Sequence, residues 1–216
     1  MKKVRLGVLI SGSGTTLQNF IDCAKAGTLN ARIACVVSSC EKAYGLVRAR
    51  ENNIPSITIS RKNYNTVEEF SKEIFSYLKS FSVDLVTLAG YLKLIRVPDR
   101  WLGRVMNIHP ALVPSFCGKG WYGMKVHNAV VEGGVRVTGC TVHFVDNIYD
   151  HGPIIIQKVV NVLDADTPED VRKRVFEQEK TAYPEAINLF AAGRLRISDR
   201  RVHILPEDSV GRGKNA

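Results

Sequence analysis

The chain has 216 residues, 45% hydrophobic and 24% charged, enough for one sizeable core. Its formal net charge of +9 suits anionic partners; Lys and Arg are scattered without an aromatic-interleaved stripe, so small phosphorylated or carboxylated metabolites fit better than nucleic acid. Five cysteines, an odd number with no C-x-x-C, argue against a disulfide framework or zinc site, and the absence of a signal core or membrane-length apolar run points to a soluble cytoplasmic protein.

Val4 to Ile10 is a short apolar run that suits a parallel strand buried on both faces, and it ends in Ser11-Gly12-Ser13-Gly14. Thr15 to Ala26 follows at helical spacing through Leu17, Phe20, Ile21 and Ala24, closed by Gly27. Further strands are expected at 33–37, 56–59, 84–90 and 105–109, with helices over 42–53 and 66–81. Strands alternating with helices predict an α/β fold with a parallel sheet, whose ligands bind beyond the carboxyl ends of the strands. Residues 115–125 mix three glycines with three aromatics and read as a loop over the site, either a mobile lid or an anchored structural loop. A short helix is expected over 127–131. Thr138–Val145 and Ile154–Val160 predict an antiparallel hairpin. Thr167-Pro168-Glu169 opens a long helix that Pro184 should kink or divide, and residues after about 195 read as a tail.

Two stretches lie at carboxyl ends of strands. Gly12-Ser13-Gly14-Thr15-Thr16 turns from the first strand into the first helix, where free backbone N–H groups and the positive dipole end could receive an anion. Leu17 replaces the third glycine of a dinucleotide fingerprint, so a monophosphate suits it better; a bare glycine turn is the alternative. Asn107-Ile108-His109-Pro110 places an amide and an imidazole on one face of an extended segment, since Pro110 disfavours helix at His109. One group could bind a developing oxyanion and the other handle a proton; taken alone, the motif reads more readily as a polar strand end, and the rest of the chain reverses that reading. The histidine spacings match no metal motif, so no metal is expected. His143 reads as a packed strand residue. Asp150 is the better partner for an imidazole, whose charged form it should favour.

The ordered set Ser11-Gly12-Ser13-Gly14-Thr15-Thr16-Leu17-Gln18, Leu88-Ala89-Gly90-Tyr91, Asn107-Ile108-His109-Pro110, Gly139 to Val145, Asp150 to Gln157, and Gln178-Glu179-Lys180 with Tyr183-Pro184 resembles the phosphoribosylglycinamide formyltransferases. The likeness runs to about residue 195. It implies a Rossmann-like three-layer fold with a mostly parallel twisted sheet and an antiparallel C-terminal hairpin. The expected organisation is one domain over 1–195, its N-terminal half binding phosphate and its C-terminal half folate and catalytic, followed by a 196–216 tail.

The implied reaction moves a formyl group from 10-formyltetrahydrofolate, a co-substrate, to the amine of glycinamide ribonucleotide in purine synthesis. The resemblance makes Asn107, His109 and Asp150 catalytic. It gives the ribonucleotide Gly14, Thr15, Thr16 and Glu179, and folate Leu92, Lys93, Leu94, Ile95, Val145 and Asp146. The implied partners are these small molecules, with no nucleic acid or membrane, in a monomer or homodimer. Two departures are visible: residues 117–125 are longer and richer in glycine than in many members, and Phe176 stands where some place a polar substrate contact. Other folate-dependent formyltransferases and formyltetrahydrofolate hydrolase share the Asn-x-His and Asp core. The tRNA-modifying relatives carry a further C-terminal domain and the hydrolases an N-terminal one, for which this chain leaves no room. A non-catalytic nucleotide- or RNA-binding module is suggested only by the charge.

Overall fold

The computed structural model describes residues 3–209. They form an α/β fold with a mostly parallel sheet and antiparallel C-terminal strands. The chain divides into two compact units, residues 3–108 with Val145–Asn147, and residues 109–144 with 148–209. The chain crosses from one to the other more than once, which no local pattern announces.

The first unit carries β1 (Val4–Ile10), α1 (Thr15–Lys25), β2 (Ala31–Ser38), α2 (Tyr44–Glu51), β3 (Ser56–Thr58), α3 (Val67–Ser80), β4 (Leu85–Leu88) and β5 (Val105–His109), whose last residue opens the second unit. The strand order is β3-β2-β1-β4-β5, all parallel. β1 is buried from Leu6 to Ile10 and β4 throughout, which explains continuous apolar runs in place of alternation. α3 lays Phe70, Ile74, Phe75 and Leu78 into a core shared with Leu9, Val37, Val86, Trp101 and Val105. Phe75 and Trp101 meet with ring centroids 5.3 Å apart. Thr66 and Glu69 close a capping box at the start of α3.

The second unit holds α4 (Met124–Glu132), β6 (Val137–Phe144), β7 (Ile154–Asn161), α5 (Pro168–Ala191), β8 (Leu195–Ser198) and β9 (Arg201–Ile204). β6 and β7 form the expected hairpin, and α5 packs on both and on α4. Gly139 lets these strands approach: a Cβ there would lie 1.9 Å from the Lys158 carbonyl oxygen. α5 begins at a second capping box, Thr167 with Asp170. Pro184 does not divide the helix, which runs unbroken to Ala191. Its neighbours Ala182, Tyr183, Ala186 and Ile187 are all fully buried, and their packing outweighs one missing backbone donor.

The expected tail is partly structured. Residues 195–204 form an antiparallel hairpin that pairs with β7 through Ile154 and Arg201. Residues 205–209 follow it with a short 3-10 turn at Glu207–Ser209, and residues 210–216 lie outside the described residues. Among the described residues no helix is long and apolar enough to cross a membrane.

Candidate active site

In the first unit, β1 delivers the chain into Ser11–Gly14 and then α1. Gly14 caps α1 in the left-handed region, φ 69° and ψ 31°, and no side chain caps the helix. No acid stands in the first turn. α3 and α5 satisfy their own N-termini with capping boxes, whereas α1, like α2 and α4, has no side-chain cap. The loop is braced from α2: the Gly45 N–H donates to the Gly12 carbonyl at 3.1 Å, and Arg48 Nε donates to the Ser13 carbonyl at 3.0 Å. Arg48 also donates to Gln18 Oε1 at 3.0 Å, which holds its guanidinium beside the loop. Thr15 is exposed and Thr16 half-buried.

The segments expected to bind folate meet in the same unit. Asn147 Oδ1 accepts from the Val97 N–H at 2.8 Å, and its Nδ2 donates to the Val97 carbonyl at 3.3 Å. That two-way bond fixes Val145 and Asp146 against the strip carrying Leu92 to Ile95. Leu92 is 56% exposed while Ile95 is buried, so the strip presents an apolar side chain above a packed base. The Leu92 N–H donates to Ser11 Oγ at 2.9 Å, tying the strip to the anion loop. Asn107 is half-buried on β5, in register with Leu88 of β4.

The second unit contains the ionisable cluster. His109, at the end of β5, is 3% exposed. Its Nε2 lies 2.9 Å from the Phe116 carbonyl oxygen, which can only accept, so Nε2 carries the hydrogen. Its Nδ1 faces Asp150 Oδ2 at 3.5 Å. Asp150, on the β6–β7 connection, has a left-handed backbone at φ 48°. Its Oδ2 accepts from the Gly118 N–H at 2.9 Å. A second imidazole, His143, faces Oδ1 with its Nε2 at 3.7 Å. Its Nδ1 is 2.8 Å from the Phe144 carbonyl oxygen.

Burial lowers His109 below an ordinary imidazole. The Asp150 charge pulls the other way, as the sequence suggests, but does not overcome burial. Burial pushes the Asp150 carboxyl up, yet the neighbouring His143 and His109 rings and the Gly118 N–H together hold it below the usual range. His127 of α4, buried with Nδ1 unbonded, is pushed down to about 4 by burial and then by Arg172.

Glu179 on α5 is not a solvated helix-face carboxylate. The residue is partly exposed, but its carboxyl sits deep enough in protein that burial pushes it up to about 7 against the pull of Arg172. It lies close enough to Cys140 of β6 to help burial raise that thiol. Phe176, one turn earlier, lies under the Lys180 ammonium, with Nζ 5.7 Å from the ring centroid.

The expected residues thus fall into three groups: Gly14–Thr16 on the anion loop, Leu92–Ile95 with Val145–Asp146, and His109 with Asp150. Sequence reasoning missed His143, the Phe116 carbonyl, the Gly118 N–H, Asn147 and Arg48. The β6–β7 register shifts between Val142 and His143, an irregularity that re-aims the side chain and that alternation cannot reveal. Backbone donors and acceptors carry no residue signature. Among the described residues no group of three or more metal-ligating side chains is placed to hold an ion.

A sequence profile described as Formyl transferase matches residues 4–187. The chain is 41% identical over 206 residues to the phosphoribosylglycinamide formyltransferase of Haemophilus influenzae, covering 94% of each chain. It is 42% identical over 199 residues to the trifunctional purine biosynthetic protein adenosine-3 of Gallus gallus, spanning 19% of that longer chain. The crystal structure of glycinamide ribonucleotide transformylase 1 from Symbiobacterium toebii superposes with a TM-score of 0.88 at 44% identity, covering 95% of each chain. A profile spanning most of the sequence and a relative matched almost end to end lead to one conclusion: this chain belongs to the formyl transferase family.

Proposed function

We propose that this enzyme transfers the formyl group of 10-formyltetrahydrofolate to the amine of glycinamide ribonucleotide, a step of purine synthesis. The observation that carries the reading is the buried His109–Asp150 pair, with its imidazole tautomer set by the Phe116 carbonyl. Attack of an amine on a formyl carbon makes a tetrahedral oxyanion, and the reaction must move a proton from the attacking nitrogen to the leaving one. The His109 Nε2–H is a donor that such an oxyanion can take over from Phe116, and Asn107, two residues earlier on β5, supplies an amide donor. Asp150, held as a carboxylate, accepts and returns the proton.

The acceptor's phosphate is read from α1, whose glycine cap leaves N–H groups to an anion, with Thr15 and Thr16 hydroxyls beside them. The exposed Leu92 and the Asn147-clasped segment suit the flat, partly apolar folate. Glu179 meets the ribonucleotide from α5. The partners are these two small molecules and the compartment is the cytoplasm.

The test is tetrahydrofolate formation from 10-formyltetrahydrofolate, with and without glycinamide ribonucleotide. Production should require the ribonucleotide and match formylated product one to one. Equal production without acceptor would make the enzyme a hydrolase and overturn the reading.

A further inference from the structure

In the first unit, two successive carbonyls of the loop after β1 point at α2. Gly12 accepts from the Gly45 N–H at 3.1 Å, and Ser13 accepts from Arg48 Nε at 3.0 Å. Gly45 and Arg48 are three residues apart on α2, so both donors reach the loop from one face of that helix. Among the described residues the only cis peptide is Val113–Pro114, so the Gly12–Ser13 and Ser13–Gly14 peptides are trans. In a trans peptide the N–H points opposite to the carbonyl. The Ser13 and Gly14 N–H groups are therefore both turned away from α2. Next in the chain come the N–H groups of Thr15, Thr16 and Leu17, which precede the first ladder bond of α1, from the Gln18 N–H to the Gly14 carbonyl at 2.9 Å. The result is a run of successive N–H groups outside the helix ladder, the arrangement that receives an anion.

Arg48 is itself held from two further sides. Its Nη1 donates to Gln18 Oε1 at 3.0 Å, and Gln18 Nε2 donates onward to Asp22 Oδ1 at 2.8 Å. Its Cζ lies 5.0 Å from the centroid of the Tyr44 ring. The two groups that accept from the guanidinium, a peptide carbonyl and a side-chain amide, are neutral, so they orient the cation without cancelling its charge. The peptide that Arg48 grips is one that could easily turn. It borders Gly14, at φ 69°, and glycine tolerates either sign of φ. A half-turn of that peptide would exchange the Gly14 N–H for the Ser13 carbonyl, replacing a donor to an anion by a repelling oxygen.

We propose that Arg48 is a positioning residue of the phosphate subsite: it holds the Ser13–Gly14 peptide with its N–H toward the anion, and so makes the enzyme selective for a phosphorylated acceptor. This rests on the formyl-transfer reading and its assignment of the phosphate to Gly14–Thr16, and it names a residue outside that set on which the selectivity depends. Arg48 does not touch the reacting atoms. Without it the peptide turns in part of the population, and those molecules bind the phosphate poorly while their reaction chemistry is intact. Gly45 holds the preceding peptide in the same sense through its backbone, so Arg48 is the part of the brace that a side-chain substitution can remove.

The test compares two acceptors and one free anion. In Arg48→Met, which keeps the stem and removes the donors, kcat/KM for glycinamide ribonucleotide should fall about 10- to 100-fold, the worth of one charge-assisted hydrogen bond. The fall should lie in KM, with kcat and the folate KM within about twofold. For the dephosphorylated acceptor, glycinamide riboside, the same variant should lose less than about threefold. Arg48→Lys keeps the charge but cannot hold Ser13 and Gln18 together, and should recover only part of the loss. In parallel, inorganic phosphate titrated into isotope-labelled wild-type protein should shift the Ser13 and Gly14 amide resonances, and saturation should need about tenfold more phosphate in Arg48→Met. Equal losses for both acceptors would make Arg48 a general support of the fold and overturn the proposal. Full recovery in Arg48→Lys overturns it too, since charge alone would then suffice, as do unmoved Ser13 and Gly14 resonances. If wild-type enzyme shows no ribonucleotide-dependent transfer, the functional reading fails instead, and the phosphate titration alone decides the role of Arg48.

Discussion

Gly14→Ala isolates the anion loop. Gly14 sits at φ 69°, where an L side chain costs about 1–2 kcal/mol. Its new Cβ would lie 2.6 Å from Gly45 Cα and 3.3 Å from Gly45 N. Both are backbone atoms, so no rotamer relieves the contact, and overpacking of this kind adds about 1–3 kcal/mol. The combined strain is about 2–5 kcal/mol, shared between global stability and local displacement of the loop. If about 1.4 kcal/mol of it appears as a misplaced α1 N-terminus, ribonucleotide binding weakens tenfold. The assay pairs urea denaturation of ligand-free protein with KM for each substrate. The unfolding midpoint should fall and the ribonucleotide KM should rise at least about tenfold, with folate KM nearly unchanged. Two neighbours calibrate the result. Gly45→Ala meets Ile10 Cδ1, a side-chain end, at 2.5 Å and the Gly14 Cα only at 3.2 Å, and Gly12→Ala meets nothing within 4 Å. The order of damage should be Gly14, then Gly45, then Gly12. A Gly14→Ala enzyme within about 0.5 kcal/mol of parental stability and with unchanged ribonucleotide KM would refute the reasoning.

Replacing Thr15 and Thr16 with Ala should raise the ribonucleotide KM and spare folate, each charge-assisted bond being worth about 1.5–3 kcal/mol; equal losses for both substrates would count against a phosphate site. Glu179→Gln should raise the ribonucleotide KM yet stabilise the ligand-free protein above pH 7. The folded carboxyl at about 7 lies above its unfolded value of about 4.3, so parental stability declines as pH rises between them; urea titrations at pH 5 and pH 8 read the difference, and parallel losses in both proteins would contradict it. Arg200 donates from Nη2 to the His151 carbonyl at 3.2 Å, next to Asp150. Arg200→Ala should lower kcat modestly with Tm nearly unchanged, and full turnover would show that Asp150 is held without it.

Elements with strong local chemistry were legible. The Thr66 and Thr167 helix starts, the buried parallel strands and the glycine turn into α1 are each dictated by a few adjacent residues. The β8–β9 hairpin carries a weaker signal: Leu195, Ile197, Val202 and Ile204 alternate around a turn at Asp199, with φ 53°. The strands are four residues each and expose Ile197 and Ile204, and Asp-Arg is not a recognised hairpin turn pair. At the site, Asn107, His109 and Asp150 were visible as residue types. The carbonyl that sets the His109 tautomer and the strand irregularity that aims His143 belong to backbone geometry, which side-chain patterns do not encode.

That C-terminal hairpin has a consequence for solubility. The sequence of β7, Ile154-Ile155-Ile156-Gln157-Lys158-Val159-Val160, is rich in β-branched residues and carries a single charge. Left as a bare sheet edge, such a strand is a template for pairing between molecules. β9 occupies that side at Ile154, and the outer strands bring Arg196 and Arg201 to the rim. A chain cut after Arg194 would keep every side chain assigned to substrate or proton, lose the Arg200 brace beside Asp150, and be prone to associate through β7. The segment that looks most dispensable in the sequence is the one that covers the start of that edge and puts arginines beyond it.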